Sequence, residues 1–309
     1  MNFFAQAIHV GFTLPDLSNK LSYFPHSNCL LLDGRSVQDH FVAQAKILKE
    51  KNNITPSLSV ILVGEHASSK VYVENKLKIF TKAGFHSQLF HFSAQSVTEE
   101  EIFNVIEMLN QDKNTHGILV QLPLPEHLSS EKFLERISPN KDVDGFLKEN
   151  IGALALGQYT SFIPCTPFGI LCLLYAYKIP IAGKNIVIMG RSNIVSKPLG
   201  LLLLNLDATV TFTHSKTLNL REITQTADIL MSATGQSKMV TKDYIKPGCI
   251  VVDVGITRDK NSLKICGDTL QDDIIAKASA LTPVPGGVGP ITIAMLLVNT
   301  AIAAWAKNF

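Results

Sequence analysis

Apolar positions in the first half of the chain switch between the spacing of strands and that of helices. Residues 57–64, SLSVILVG, form a short apolar run that ends in glycine, which predicts a buried strand. Residues 85–92 alternate as a second strand, and the run HGILVQL at 116–122 predicts a third. Helical spacing separates these runs, over 68–84 and again after residue 98. This order predicts a mainly parallel sheet with right-handed crossovers.

Polar residues at the predicted helix starts support these helices. Thr98, with Glu101 three positions later, forms a capping box in front of an apolar run. Ser36 is the expected cap of a helix over 36–51. Two serines and a glycine bracket the helix over 68–84, as start and stop signals. The first half of the chain is therefore predicted to alternate strands with well-capped helices.

The pattern changes after residue 133. Residues 133–165 are rich in Gly, Pro and Asn, which predicts a crossing between two domains. A second alternating series predicts strands at 185–190, 208–214, 228–234 and, as the last strand, 249–255, with helices over 196–205 and from residue 220. The chain then ends in a long apolar helix, which Pro290 is expected to open and which must be buried.

The composition fits a two-domain protein, since the 309 residues are 46% hydrophobic. A net charge of +2 directs no strong field at nucleic acid or a membrane, and no run approaches the ~20 apolar residues of a membrane span. Five cysteines without a CxxC pair favour reduced thiols, and the histidines show no metal-binding pattern. Residues 1–28 lack signal- or transit-peptide features, and we interpret them as an extension, or a first strand with a loose lead.

Lys76 lies on the apolar face of the helix predicted over 68–84. At ~100° per residue, Tyr72, Val73 and Phe80 share that face. A lysine placed there either extends along apolar surface to water or faces a cleft. In a cleft, loss of hydration would lower its pKa and make it a proton carrier near neutral pH. The helix alone favours the first interpretation.

A glycine turn opens the second alternating series. Gly190, Arg191 and Ser192 leave a predicted strand and lead into a helix, where backbone N–H groups can bind phosphate. GRSNIVSKPLG is not the GxGxxG fingerprint, so an ordinary strand–helix turn is the alternative. The next strand runs into THSKT at 213–217, without the acid that binds the ribose of NAD. Hydroxyl groups such as that of Ser215, and cations, favour the 2′-phosphate of NADP there; a solvated polar turn is the alternative.

Other candidate residues follow predicted strands, where an open parallel α/β sheet binds its ligands. Gln121 ends a buried strand and is placed to hydrogen-bond a ligand or orient a catalytic group. The remaining candidates are Thr234 with Gly235, Gly255 with Ile256, the carboxylates Asp142 and Asp144, and the rigid loop PVPGGVGP at 283–290. The carboxylates could accept hydrogen bonds from an amidine-like ring. The ordinary explanation is a turn for the two glycine-containing pairs, a solvated loop acid for each carboxylate and a structural connector for the loop.

Together these residues resemble the bifunctional methylenetetrahydrofolate dehydrogenase/methenyltetrahydrofolate cyclohydrolase family. The matching stretches run in the family's order from about residue 30 to the C-terminus, as VGEHASSKVYVENKLKIFTKAG, GILVQLPLP, NKDVDGF, FIPCTPFGI, GRSNIVSKPLG, THSKT, ADILMSATG, VVDVGI and TPVPGGVGPITIAML. Several of these stretches are unspecific alone, but their combination is highly specific.

The resemblance implies a two-domain α/β fold with parallel sheets and a cleft between the domains. A folate-binding catalytic domain would comprise residues 1–147 and 283–309, and a Rossmann-like NADP-binding domain residues 148–282. It also implies a cytoplasmic homodimer, paired through the nucleotide domains, with a folate as its small-molecule substrate. Nucleic acid, a membrane and a metal are not expected partners.

The resemblance also implies residue roles. Lys76 would be the catalytic lysine, Tyr72 the ring stacked on the pterin, Gln121 the partner of the lysine and Asp144 the anchor of the pterin. The expected cofactor contacts are Gly190, Arg191, Ser192, Ser215, Thr234, Gly235 and Ile256. The expected folate-side loop residues are Gly286, Gly287 and Pro290. These roles fit NADP-dependent oxidation of 5,10-methylenetetrahydrofolate, followed by a hydrolysis in which a lysine of lowered pKa transfers protons.

The sequence departs from the family's pattern at Ser196, where glycine is common, at Arg35, for a frequent lysine, and at Thr269, for a frequent valine. Ser196 is expected either to narrow the approach of the pyrophosphate or to add a hydroxyl contact. A monofunctional NAD(P) dehydrogenase of this family is one alternative, against which the retained catalytic set argues. A folate- or nucleotide-binding module without catalysis and an amino-acid dehydrogenase of similar plan are the others.

Overall fold

The computed structural model describes Ala7 and residues 10–159, 162–259 and 264–306, without the side chains of residues 67 and 68. The helices are α1 Gly34–Asn52, α2 Ala67–Lys82, α3 Glu99–Gln111, α4 Ser130–Leu134, α5 Lys148–Ala155, α6 Cys165–Ala176, α7 Ser196–Leu204, α8 Leu220–Thr224, α9 Gln271–Ile274 and α10 Val288–Ala306. The strands are β1 Leu30–Leu31, β2 Ser57–Val63, β3 His86–Phe92, β4 Gly117–Val120, β5 Asn185–Met189, β6 Thr209–Thr213, β7 Ile229–Ser232, β8 Ile250–Asp253, β9 Thr257–Arg258, β10 Ile265–Cys266 and β11 Ala280–Leu281.

The chain divides into two compact units. The first contains the described residues up to Thr13, His40–Cys165 and the described residues from Ile293 onward. The second contains Leu14–Asp39 and Thr166–Thr292. The boundaries expected from the sequence for a folate-binding domain and an NADP-binding domain stay a prediction. The beginning of the predicted N-terminal extension lies outside the described residues, apart from Ala7.

The first unit is built on a three-stranded parallel sheet in the order β3-β2-β4. All residues of the central strand β2 are buried, as expected of a parallel strand covered on both faces. Ile61 and Ile118 of this sheet form one core with Ile102 and Ile106 of α3. The capping box of Thr98 is confirmed, because its side chain and backbone both exchange hydrogen bonds with Glu101 three positions later.

The second unit is built on a six-stranded parallel sheet in the order β1-β11-β8-β7-β5-β6. Val187, Leu230 and Val251 of three neighbouring strands are buried in one core, which Phe24 joins from the N-terminal segment. The expectation that 249–255 is the last strand is wrong, since β11 pairs with β8 and extends the sheet. A strand of two residues is too short to show alternation in the sequence, so only the pairing reveals it.

Two predicted helix starts are also corrected. The helix α1 begins at Gly34, and the Asp33 carboxylate, rather than Ser36, caps it by accepting hydrogen bonds from the Ser36 N–H and hydroxyl groups. The helix α10 begins at Val288, so Pro290 is its third residue rather than its first. Proline fits there because the N–H groups of a first turn have no partner within the helix.

The helix α10 is long and apolar enough to span a membrane by length and composition, yet 78% of its most apolar part is buried within the protein. That burial is typical of a core helix. Asn299 in its second half is 1% exposed and donates hydrogen bonds to the carbonyl groups of Val143 and Ile163. A single buried amide thus ties the helix to the segments before and after α5, and the predicted burial of α10 is confirmed.

Candidate active site

The helix α2 places Lys76 and Tyr72 one turn apart on the same face. Lys76 is 5% exposed and shares the buried face with Val73 and Phe80. The helix begins at Ala67, so the serines that were expected to open it lie within its first turn. The interpretation of Lys76 as a boundary lysine is wrong, because the residue is buried and its amino group binds Gln121 rather than extending to the surface.

Two side chains hold the amino group of Lys76. Its Nζ donates a hydrogen bond to Gln121 Oε1 at 3.0 Å and lies 4.6 Å from the centroid of the Tyr72 ring, a cation–π distance. Gln121 directly follows β4, and its backbone N donates to Ile61 O. Its side-chain Nε2 donates to Leu122 O at 2.7 Å, so the amide oxygen is the end that faces the lysine. The helix α2 and the residue after β4 together thus hold the primary amine of Lys76 in a buried position.

The segment between α4 and α5 has two carboxylates with different functions in the fold. Asp142 is 1% exposed and accepts hydrogen bonds from the backbone of Gly145 and Leu147 and from the Asn150 amide. It therefore holds the loop, and the expectation of a solvated acid does not apply to it. Asp144, two positions on, is only partly buried, and its charge acts on Lys76.

Burial shifts the ionisable groups of this site toward their neutral forms. It lowers the pKa of Lys76, and the nearby charge of Asp144 opposes that shift only in part. Burial raises the pKa of Asp144 to about 6, with the Lys76 charge opposing and the Asp142 charge adding to the shift. A lysine with a lowered pKa beside an acid with a raised pKa is an arrangement suited to proton transfer.

Two residues outside the predicted site, Cys165 and Asn299, contact the segment next to Asp144. The thiol of Cys165 donates to Val143 O at 3.2 Å, while burial raises its pKa well above the usual value. Asn299 donates to the same Val143 carbonyl at 2.8 Å. For Asn299, the signal available in the sequence was an amide side chain within the long apolar run of α10. Both residues fix the backbone that carries Asp144.

The second unit brings the predicted phosphate-binding residues to one edge of its sheet. Met189 of β5 pairs with Thr213 of β6, and the N–H of Gly190 donates to Thr213 O at 2.8 Å. Arg191 and Ser215 follow these paired strand ends and are exposed. Gly190 has a φ of +143°, and a Cβ added there would lie 2.6 Å from Ala233 O. Only glycine fits this turn, which leaves its backbone open to a phosphate.

The turns after β7 and β8 lie at the same edge, because Ser232 and Asp253 are paired in register at the ends of these strands. Thr234 and Gly235 follow β7, and Ile256, which is 52% exposed, follows β8. An open parallel sheet binds its ligand at the carboxyl ends of its strands. The four turns after β5, β6, β7 and β8 are therefore arranged as a nucleotide site requires.

Ser192 and Ser196 both lie next to the glycine turn, and the side chain of Ser192 binds its backbone. Ser192 Oγ accepts hydrogen bonds from the N–H groups of Val195 and Ser196 at the start of α7. Ser196 is fully buried, with its Oγ 3.4 Å from Ser192 Oγ and directly beneath Gly190. The hydroxyl group of Ser196 therefore lies in the protein interior next to the turn, and the two expected effects of this residue on the pyrophosphate stay a prediction.

The loop expected to border the folate is held against the start of α1. Gly286 has a φ of +121°, and its carbonyl accepts a hydrogen bond from Gly34 N at 2.9 Å. Gly287 N donates to Pro283 O, and Pro290 O accepts from the Gln38 amide. These residues belong to the second unit, whereas Lys76, Tyr72, Gln121 and Asp144 belong to the first. Each set is thus assembled within its own unit.

Comparison with known proteins matches both units. The tetrahydrofolate dehydrogenase/cyclohydrolase catalytic domain matches residues 32–144, and the NAD(P)-binding domain of the same family matches residues 164–308. The chain belongs to the tetrahydrofolate dehydrogenase/cyclohydrolase family. The family resemblance and the two-domain α/β prediction are thereby confirmed.

Individual members of the tetrahydrofolate dehydrogenase/cyclohydrolase family are similar over most of the chain. The bifunctional protein FolD of Streptococcus mutans is 49% identical over 278 residues, which cover 89% of this chain and 97% of the relative. That of Listeria innocua is 49% identical over 286 residues, which cover 90% and 99%.

Solved structures of this family have the same fold. The crystal structure of the bifunctional FolD enzyme from Campylobacter jejuni has a TM-score of 0.86 at 44% identity and covers 90% of this chain and 99% of its own. The Trypanosoma brucei enzyme, in complex with NADP and an inhibitor, has a TM-score of 0.86 at 34% identity and covers 91% of this chain and 98% of its own.

Proposed function

We propose that this protein oxidises 5,10-methylenetetrahydrofolate with NADP⁺ and hydrolyses the resulting 5,10-methenyltetrahydrofolate to 10-formyltetrahydrofolate. The observation that carries this proposal is the buried Lys76 amine, 3.0 Å from Gln121 Oε1, in a chain of this family. A dehydrogenase without the second activity has no need of a buried proton carrier. Retention of that group therefore favours the bifunctional enzyme over a monofunctional one.

The nucleotide site supports NADP as the cofactor. When bound, NADP⁺ would accept the hydride that leaves the bridging methylene group. Arg191 and Ser215 would hold its 2′-phosphate, because both are exposed beside paired strand ends and no acid follows β6. The Gly190 turn would bind the pyrophosphate through backbone N–H groups. The contacts that complete the site would come from Ser192, Thr234, Gly235 and Ile256.

Lys76 would move the protons of the hydrolysis. Water adds to the methenyl carbon, and neutral Lys76 accepts a proton from that water as the C–O bond forms. The lysine then donates a proton to the ring nitrogen as its bond to carbon breaks, and the net reaction releases one proton. A lowered pKa allows the same amine to act as base and then as acid near neutral pH.

The remaining residues of the set would hold the substrate. The Asp144 carboxylate would accept hydrogen bonds from the N–H donors of the pterin, and Tyr72 would stack on its ring. Gln121 would orient both the lysine and the folate. The loop residues expected to border the folate are Gly286, Gly287 and Pro290.

We also propose a cytoplasmic homodimer that is paired through the nucleotide domains and binds neither nucleic acid nor a membrane. All five cysteines are free, which agrees with a reducing compartment. The strand β6 lies at an edge of its sheet, and its Phe212 is 42% exposed. An edge strand with exposed apolar surface is suited to pairing with a second copy.

A single assay tests the activity. Purified protein is mixed with 5,10-methylenetetrahydrofolate and either NADP⁺ or NAD⁺, while reduced nicotinamide and methenyl absorbance are followed together. We expect reduction with NADP⁺ and no build-up of the methenyl compound. Build-up of that compound would overturn the hydrolase activity, and absence of reduction with either nucleotide would overturn the dehydrogenase activity.

A further inference from the structure

Asp268 is a fully buried carboxylate that lies beneath the turn after β7. Its Oδ2 accepts hydrogen bonds from Thr234 N at 2.6 Å, Gly235 N at 3.3 Å and Ser232 Oγ at 3.1 Å. Thr234 is partly exposed and Gly235 is exposed. One buried oxygen atom therefore holds the backbone of a turn that is itself exposed to solvent.

The other oxygen, Oδ1, is buried without a hydrogen-bond partner among the described residues. Leaving a buried acceptor unpaired is unfavourable, and most proteins avoid it. The backbone of Gly255 lies against this oxygen, and a Cβ added to Gly255 would collide with it. The carboxylate thus keeps one unpaired buried oxygen, which is unfavourable, while its other oxygen, Oδ2, binds the backbone of the turn after β7.

A second carboxylate holds Asp268 in place. Asp253, at the end of β8, accepts hydrogen bonds from Asp268 N at 3.0 Å and from the Thr269 N and Oγ1 atoms at 2.8 and 2.6 Å. Its Oδ1 also accepts from Gly255 N at 2.9 Å. The two carboxylates therefore connect the turn after β7 with the turn after β8 that leads to Ile256.

We propose that Asp268 is a positioning residue of the nucleotide site, which holds the Thr234–Gly235 turn and couples it through Asp253 to the turn carrying Ile256. This inference rests on the proposed cofactor contacts of Thr234, Gly235 and Ile256. Asp268 itself does not touch the cofactor, because its side chain is fully buried beneath the turn. Its loss should therefore weaken nucleotide binding rather than the proton transfers at Lys76.

The test compares Asp268→Ala with the conservative Asp268→Asn. Alanine leaves the Thr234 and Gly235 N–H groups without their acceptor, so the KM for NADP⁺ should rise about tenfold or more. Asparagine keeps one oxygen for these donors and should restore most of the affinity. Hydrolysis of 5,10-methenyltetrahydrofolate, measured without nucleotide, should stay near the wild-type rate in both variants.

Two further variants make the test decisive. Asp228→Asn is a matched control at the opposite end of β7, where the carboxylate accepts from Asn185 N, and the KM for NADP⁺ should not change. Gly235→Ala perturbs the turn itself, because its φ is +68°. A raised KM in Gly235→Ala with a normal KM in Asp268→Ala would overturn the positioning role of Asp268 but not the role of the turn in cofactor binding. A normal KM in both would overturn the proposed role of the turn as well.

Discussion

Lys76 Nζ lies 3.0 Å from Gln121 Oε1, although the two residues are 45 positions apart in the chain. The helix α2 supplies the lysine and the end of β4 supplies the amide, whose other end is bound to Leu122 O. A neutral acceptor leaves the charge of the lysine largely uncompensated, so burial can lower its pKa. This geometry makes Lys76 the centre of the proposed hydrolysis.

Lys76→Met should abolish the cyclohydrolase step and leave the protein folded. Loss of a general acid–base group typically lowers a rate by a factor of about 10² to 10⁴. Methionine fills a similar volume without a buried amine, so the melting temperature should not fall. The loss of methenyl absorbance measures the rate, and Lys78→Met, on an exposed position of the same helix, is the control. Hydrolysis at the normal rate by a folded Lys76→Met protein would contradict the assignment.

Gln121→Glu should move the pH dependence of hydrolysis to higher pH. The new carboxylate would lie beside Lys76 Nζ and favour its charged form, which raises the pKa of the lysine. The neutral lysine needed as base then appears only at higher pH, so the rising limb of the rate profile shifts upward. Gln111→Glu, on the exposed end of α3, should leave the profile unchanged. An unshifted profile for Gln121→Glu would show that the two side chains are not coupled.

Folate binding should weaken as the pH falls through about 6, the value to which burial raises the pKa of Asp144. Below that pH the carboxyl group is protonated and can no longer accept hydrogen bonds from two pterin donors. The measurement is kcat/KM for 5,10-methylenetetrahydrofolate at saturating NADP⁺ on both sides of this pH. Asp144→Asn should have a low kcat/KM without this acid limb. If kcat/KM of Asp144→Asn still falls at low pH as in the wild type, a group other than Asp144 causes the fall.

Arg191→Ser should weaken NADP⁺ and spare NAD⁺. A charge-assisted hydrogen bond to the 2′-phosphate is absent with NAD⁺, so the KM for NADP⁺ alone should rise, by about tenfold or more. Arg221→Ser removes another exposed arginine of the same unit, one that lies over the Tyr244 ring, and should change neither KM. An equal rise in the KM for both nucleotides would show that Arg191 contacts a part of the cofactor other than the 2′-phosphate.

Ser196→Ala should bind NADP⁺ almost as well as the wild type. Its hydroxyl is buried beneath Gly190 and does not reach a ligand, so the KM should change by no more than about twofold. Gly190→Ala is the contrasting variant, since its Cβ would lie 2.6 Å from both Ala233 O and Ser196 Oγ. It should bind NADP⁺ poorly. A large loss in Ser196→Ala would show that the hydroxyl group contacts the cofactor.

The sequence by itself determined the features that depend on near neighbours in the chain. The runs at 57–64 and 116–122, the capping box of Thr98 and the placement of Lys76 on an apolar face all arise from spacings of two to four residues. The absence of an acid after β6 is equally local. These patterns were sufficient for the alternating α/β plan, and the matching stretches in their order were sufficient for the family.

Only the tertiary structure decided the properties that depend on distant residues. Whether Lys76 reaches water depends on Gln121 and on the strand that carries it, and the distinction between Asp142 and Asp144 depends on which backbone groups return to each carboxylate. The network of Asp253 and Asp268 gave no periodic signal, because hydrogen bonds between separate turns follow no sequence spacing. Burial and long-range hydrogen bonding set these pKa values and positions, and both arise only once the chain is folded.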